Sequence, residues 1–187
     1  MHRCCSRVGG LSALIVLSLL GPAGAQTTND GAPPAPAVSS VDGDRAEVTA
    51  IVMQSVGEVK LCGLAAEKSQ NTEVRSLCRK ASADSAKDAV AGLQLAQKLG
   101  ERGLKLQPSP ETSAVLDKLA RYSGQEFDRE FLLTQIHDGA ADEQAIGFAA
   151  GFTPDKSVKS YEDNVLPKIA DRVELAEGAL RRISETP

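Results

Sequence analysis

Apolar residues recur at intervals of three and four along most of the chain, which is the pattern of helices that bury one face. The first stripe begins after Asp42 and comprises Val48, Ile51, Val52, Ser55, Val59, Cys62 and Ala66. The second comprises Val74, Leu77, Cys78, Ala81, Ser85, Asp88, Gly92, Ala96 and Leu99. No segment alternates with a period of two over a useful length, so the pattern predicts an all-α protein.

Polar and glycine residues divide the pattern into separate helices. The polar stretch 69–72 lies between the first two, and Asn71 or Thr72 within it is a suitable helix cap. Gly100 and Gly103 are stop signals for the second helix. Ser109-Pro110 combines a capping serine with a proline at the first helical position, so a shorter third helix is expected to run to about Tyr122.

A fourth helix is expected from about Gln125 to Gly151, and a last one from Thr153-Pro154-Asp155, which repeats the cap-and-proline signature. Pro167 lies inside the last segment and predicts a kink or a break just before it. The apolar face assigned to the fourth helix comprises Phe127, Phe131, Ala141, Ala145, Phe148 and Phe152. These segments predict an antiparallel four-helix bundle with one short extra helix, formed by residues 42–185.

The N-terminal residues have the features of a secretion signal. Arg3 and Arg7 precede the short apolar run 11–20, and the small residues Ala23-Gly24-Ala25 follow it. This arrangement predicts a signal peptide over residues 1–25, with cleavage before Gln26. We therefore expect a periplasmic or secreted protein that has no transmembrane span in its mature chain, since the apolar run is too short to cross a bilayer.

Residues 26–41 are rich in Pro, Ala, Ser and Thr and predict a disordered linker. The whole chain has 21 basic and 25 acidic residues, and no cluster of Lys or Arg stands out. An acidic protein with mixed surface charge is a poor partner for nucleic acid, which attracts basic patches. The expected partner is an unknown protein or a small-molecule ligand.

Two cysteines, Cys62 and Cys78, remain after the predicted cleavage. They lie at equal distances from Gln70, so a helical hairpin that turns at Gln70 places them at similar heights on facing stripes. In an oxidising compartment this predicts a structural disulfide. Two separate buried thiols, or a redox pair, are the alternatives, although the spacing lacks the C-x-x-C geometry.

Short motifs resemble a bacterial domain-of-unknown-function family of exported helical proteins, often labelled outer membrane proteins. Phe127-Asp128 matches the start of a long helix in that family, and Leu166-Pro167 matches the pair that precedes its final helix. Gly57-Glu58-Val59, followed by Leu64-Ala65, resembles an early helix. The likeness covers roughly residues 45–180 and implies a ferritin-like bundle.

The resemblance also implies three histidines that this chain does not have. Their places are taken by Ser85, Gly139 and Arg172. His137 is the only histidine after the predicted cleavage, and no Glu-x-x-His, the motif of ferritin-type di-iron centres, occurs. We therefore expect neither a metal nor a cofactor, although a carboxylate site for a hard cation stays open.

Five polar residues fall on or beside the predicted apolar faces, and together they form the candidate polar cluster. They are Glu58, Ser85, Asp88, Asp138 and Arg172. Buried charges are costly unless they are paired, so Arg172 is expected to pair with one or more of the three acids. The cluster is either a small ligand pocket or a set of solvated and loosely paired residues at the edges of the bundle.

Catalytic motifs are missing from the sequence: there is no G-x-S-x-G, no P-loop and no G-x-G-x-x-G. We expect a non-enzymatic envelope protein, a disulfide-braced bundle that acts by binding or interaction. The alternative is a ferritin-like protein that binds a small ligand or a metal ion through a degenerate site.

Overall fold

The computed structural model describes residues 40–185, all of whose regular elements are helices. The predicted signal peptide and residues 26–39 of the predicted linker lie outside the described residues. The all-α class is confirmed. The five helices are α1 (Ser40–Lys68), α2 (Thr72–Lys98), α3 (Pro110–Leu119), α4 (Gly124–Ala150) and α5 (Lys156–Glu185).

Side chains cap three of these helices at the predicted breaks or close to them. Asn71 accepts hydrogen bonds from the backbone of Glu73 and Val74 at the start of α2. Ser109 accepts one from Thr112 at the start of α3, with Pro110 at the first helical position. At α5 the prediction was wrong in detail: Asp155, which follows the proline, accepts from the backbone N–H groups of residues 157 and 158. The Asp155 carboxylate, just before Lys156, accepts from the first free N–H groups of α5. Pro154 therefore lies before the helix and not at its first position.

A kink or a break was expected just before Pro167, and the structure shows no break, since α5 continues through this residue. Proline removes the N–H that would bond to the carbonyl of Asp163, four residues earlier. Both residues are exposed, so water can satisfy that carbonyl. The exposed position lowers the cost of a proline within a helix.

The four long helices form a closed ring of neighbours. Helices α1 and α2 form one hairpin and α4 and α5 form the other, each with a short connection. The two hairpins pack together, with α2 against α5 and α1 against α4. The longer connection over residues 99–123 contains α3, which packs on α1 and α4. The arrangement is a helical bundle whose α1–α4 side is partly covered by the short helix.

The interior consists of two apolar clusters with polar residues between them. One cluster includes Cys62, Cys78 and Phe131, and the other includes Ile51, Val158 and Ile169. Each long helix contributes apolar side chains to both clusters and polar ones at the level between. We call this set the polar layer; its members are Gln54, Ser55, Glu58, Ser85, Asp88, Gln135, Asp142, Lys168 and Arg172.

The apolar face assigned to α4 was right in its first half and wrong in its second. Phe127 and Phe131 are fully buried, but Phe148 and Phe152 are 71% and 75% exposed. Ala141 and Ala145, which were assigned to the same face, are exposed as well. The buried face of α4 comprises Phe127, Asp128, Phe131, Leu132, Gln135, Gly139, Ile146 and Ala150. It keeps three-and-four spacing, but it passes through glutamine and glycine, which a search for apolar residues overlooks.

By length and composition alone, α1 is the one described helix that could cross a membrane. Half of its most apolar window is buried inside the bundle. Core helices of soluble proteins share these properties, so this feature does not assign α1 to a membrane.

Candidate binding site

An ion pair between α1 and α5 lies at the centre of the polar layer. Arg172 Nη1 is 3.2 Å from Glu58 Oε2, and the two side chains are 11% and 6% exposed. Glu58 also accepts hydrogen bonds from Gln135 Nε2, at 3.2 Å, and from the Cys62 thiol, at 3.0 Å. All three partners donate to this carboxylate, which offsets much of the cost of burying it.

Asp142 of α4 extends this network on the other side of the guanidinium. Its Oδ2 is 3.6 Å from Arg172 Nη2, and its Oδ1 accepts a 2.6 Å hydrogen bond from Gln54 Nε2. The pKa of Asp142 is raised to about 6: burial is the largest cause, Arg172 opposes it, and the nearby Asp138 and Glu58 charges add to the rise. The network therefore contains a carboxyl group that titrates close to neutral pH.

Two cavities adjoin this network, and Gln54, Asp142 and Arg172 line both of them. The smaller lies towards α2 and has a volume of about 30 Å³, room for about one water molecule. The larger, of about 300 Å³, is lined by residues of α1, α3, α4 and α5 and by Ser109, the cap of α3. We call the larger one the α3 cavity; its volume lies at the lower end of the range for small-molecule sites.

Three side chains that line the α3 cavity carry buried polar atoms with no hydrogen-bond partner among residues 40–185. These atoms are Gln54 Oε1, Gln135 Oε1 and Arg172 Nε. The amide nitrogens of both glutamines donate to carboxylates, which fixes the orientation of each amide and leaves its oxygen unpaired. Unpaired buried polar atoms are uncommon in native proteins, and these three lie on side chains of the same network.

The structure brings only part of the candidate polar cluster together. Arg172 pairs with Glu58, as the sequence analysis expected for at least one acid. Asp88 instead pairs with Lys168, and Ser85 lines the small cavity beside Arg172. Asp138 is half-exposed, lines the α3 cavity and contacts His137 at 3.1 Å.

Gln54, Gln135 and Asp142 were missed by the sequence analysis. None of them continues an apolar stripe, and helical spacing alone does not show which acid of α4 faces α5. A usable signal was the spacing from Leu132 through Gln135 and Gly139 to Asp142, which follows one face of α4 in steps of three and four.

Cys62 and Cys78 are both buried free thiols. A hydrogen bond with the Cys78 side chain is the main cause that raises the pKa of the Cys62 thiol, followed by burial and the Glu58 charge. A raised pKa disfavours the thiolate and therefore redox catalysis. The predicted disulfide between them stays a prediction.

Comparison with protein families gives a match over most of the chain. The family described as "Domain of unknown function (DUF4142)" matches residues 27–178. The chain belongs to the DUF4142 family. Neither the curated proteins nor the solved structures gave a match. Membership agrees with the resemblance to a domain-of-unknown-function family and leaves the activity open.

In this DUF4142 protein, Arg172 occupies one of the three positions at which the resemblance implies histidine, and each of the other two lines a cavity together with it. Ser85 and Arg172 line the small cavity, and Gly139 and Arg172 line the α3 cavity. A Cβ atom at Gly139 would lie 2.6 Å from Val173 Cγ2 and 3.4 Å from Arg172 Nη2. Val173 thus occupies the space that a side chain at position 139 would need, and Arg172 would be in ordinary van der Waals contact with it. Within residues 40–185, no group of three or more His, Cys, Asp or Glu side chains is placed to hold a metal ion.

Proposed function

We propose that this protein is a non-enzymatic binding protein of the bacterial cell envelope, periplasmic or secreted, with a ferritin-like bundle. Its ligand is a small polar molecule held in the α3 cavity. A cavity of about 300 Å³ beside a buried ion pair, with unpaired polar atoms on its lining side chains, supports the proposal.

The polar residues at the cavity favour binding over catalysis. Glu58, Asp142 and Arg172 are engaged with one another, whereas a general base needs a free lone pair directed at a substrate. The side chain of His137 is 85% exposed and contacts Asp138 rather than lining the cavity. Groups held in this way orient a ligand, and none of them is an activated nucleophile.

Retained ligand is the direct test of this function. The protein, expressed with its full N-terminus in a bacterial host and purified without an affinity tag, is examined by mass spectrometry under native and then denaturing conditions. We expect a native mass that exceeds the denatured one by a small organic molecule. The N-terminal residue of the purified chain, expected to be Gln26, and its cell fraction test export in the same preparation.

A pair of matched variants locates the ligand. Val115→Phe adds bulk in the lining of the α3 cavity, whereas Val90→Phe adds the same bulk at an exposed position of α2 outside it. Loss of the extra mass in Val115→Phe alone supports the proposal. An extra mass in both variants, or in neither the variants nor the wild type, contradicts it, and stoichiometric metal would favour the metal-binding alternative.

A further inference from the structure

Helix α3 and the segment that leads into it form one wall of the α3 cavity. Ser109, Glu111, Thr112 and Val115 line the cavity from this side, together with residues of α1, α4 and α5. We call residues 104–115 the lid. None of residues 104–115 is buried, so partial contacts hold the lid over the cavity and it has no core of its own.

The C-terminal end of α3 is anchored to the bundle. Leu119 is fully buried in the apolar core. Lys68 Nζ of α1 donates to the carbonyl oxygens of Ala120, at 2.6 Å, and of Tyr122, at 2.7 Å. Lys118 also forms an ion pair with a glutamate of α4 at 3.2 Å. These contacts fix the point from which α3 extends over the cavity.

The N-terminal half of α3 lacks polar contacts of this kind. Ser109 and Thr112 bond with each other, and Ser113 donates to the carbonyl oxygen of Ser109. In the described part of the chain, residues 109–117 form no hydrogen bond or ion pair with another helix. Thr112 packs over Gly57 of α1, where a Cβ atom would lie 3.0 Å from Thr112 Oγ1 and Cγ2. This end of α3 is therefore held by packing alone.

The connection before the lid contains two glycines in the left-handed region. Gly100 and Gly103 have φ values of 93° and 84°, and a Cβ atom built at Gly103 would meet nothing within 4 Å. Hinges are commonly a few residues in loops or at the ends of elements that absorb changes in φ and ψ. The lid thus lies between a glycine hinge and an anchored helix end.

We infer that the lid swings away from the bundle about the anchored end of α3 and so admits ligand to the α3 cavity. Opening separates Thr112 from Gly57, and it leaves the buried Leu119 and the contacts of Lys68 in place. This inference rests on the proposed function, because it describes access to the same site.

Methyl NMR of the full protein with the soluble nitroxide TEMPOL measures access to the cavity without changing the chain. Leu61 is 6% exposed and lines the cavity, so its methyl signals broaden when the nitroxide enters. Leu132 is fully buried and does not line the cavity, and Leu175 is 42% exposed. We expect broadening for Leu61 and Leu175 and none for Leu132. Broadening of Leu61 no greater than that of Leu132 overturns the inference.

A cross-link between the lid and α1 tests whether the lid controls this access. A Cβ atom at position 57 would lie 3.5 Å from Thr112 Cβ, which is close enough for a disulfide. Gly57→Cys/Thr112→Cys is oxidised and its bond confirmed by peptide mapping, and Gly57→Ser/Thr112→Ser is the matched control without a bond. We expect the broadening of Leu61 to be lost in the first variant and kept in the second, with Leu175 unchanged in both. Equal broadening of Leu61 in the two variants overturns the inference, because access then does not require the lid to move.

These measurements separate the inference from the function beneath it. If the protein retains a small molecule but Leu61 is shielded in wild type, or is reached equally in both variants, the lid is wrong and the binding function stands. If the cross-link shields Leu61 but the protein retains no small molecule, the inference about ligand entry fails together with the proposed function.

Discussion

Two buried glutamates, Glu58 in the polar layer and Glu162 near the start of α5, are accommodated in different ways. Glu58 has three donors around it: Arg172, Gln135 and Cys62. Glu162 is fully buried, has no cation at salt-bridge distance among the described residues, and has one oxygen, Oε2, without a partner. Its other oxygen lies 3.0 Å from the Thr153 hydroxyl.

The hydroxyl of Thr153 links Glu162 to the backbone of α4. The Thr153 hydroxyl lies 3.0 Å from the carbonyl oxygen of Ala149 and 3.0 Å from Glu162 Oε1, but it has only one hydrogen to donate. The carbonyl can only accept, so one consistent arrangement has the Thr153 hydroxyl donating to Ala149 and a protonated Glu162 donating to Thr153. Burial, the largest cause, raises the pKa of Glu162 and agrees with this arrangement.

The difference shows two ways to remove the cost of burying a carboxyl group. One surrounds the charge with donors, and the other neutralises it with a proton. Only the first leaves a charged network beside a cavity, which is why the binding site is inferred at Glu58 and not at Glu162.

The largest expected effect comes from leaving Glu58 without its cation. Arg172→Leu should lower the free energy of unfolding by about 3–5 kcal/mol, measured by urea denaturation, because a buried charge loses its partner. Arg181→Leu on the same helix is the control. Arg181 is 66% exposed and pairs with Glu177 at 3.8 Å, so we expect a loss below about 1 kcal/mol. Unchanged or improved stability of Arg172→Leu would show that the pair does not stabilise the fold.

Oxidation of Cys62 and Cys78 is the next largest change, and it also removes one donor from Glu58. Fifteen residues separate the cysteines, and a loop of that size gives a disulfide about 3 kcal/mol in the chain-entropy model. We expect protein from an oxidising compartment to react with no thiol reagent when denatured, and to lose about that stability on reduction. Two reactive thiols in the exported protein would contradict the predicted disulfide.

The same isosteric substitution at the two glutamates compares them directly. Glu58→Gln removes a charge from three donors and should cost about 1–3 kcal/mol at neutral pH. Glu162→Gln resembles the protonated form and can still donate to Thr153, so its stability should stay within about 0.5 kcal/mol of wild type or rise. Urea unfolding of both variants at pH 7 measures the contrast. A large loss at Glu162 would show that this residue is buried as a charged group.

Asp142 lies between the two cases: it has Arg172 as a partner for its charge, and it also has a raised pKa of about 6, which favours its protonated form. The folded protein holds this proton more tightly than the unfolded chain, so the associated stability is present below pH 3.8 and is lost as the pH rises through about 6. Wild type should therefore lose about 1–2 kcal/mol relative to Asp142→Asn between pH 4 and 7, measured by urea unfolding at each pH. A constant difference between the two proteins would show that Asp142 keeps its ordinary pKa.

Prediction from sequence worked where the apolar spacing of a helix continues through its polar positions without a shift of face. The stripe assigned to α2 is buried from Val74 through Ala96, and Asn71 and Ser109 cap the helices that follow them. In α4 the phenylalanines suggested a single face through Phe148, whereas the buried face runs through Gln135 and Gly139. Apolar content therefore misleads where an interface is polar.

The amino-acid sequence by itself determined the all-α class, the division into helices and the presence of acids and an arginine on buried faces. These depend on local periodicity and capping, which are properties of neighbouring residues. Which acid meets Arg172, and whether a cavity opens beside the pair, was decided only by the packing of α1, α3, α4 and α5. Residues more than a hundred positions apart, such as Glu58 and Arg172, meet because the whole bundle sets their distance, and no local pattern contains that information.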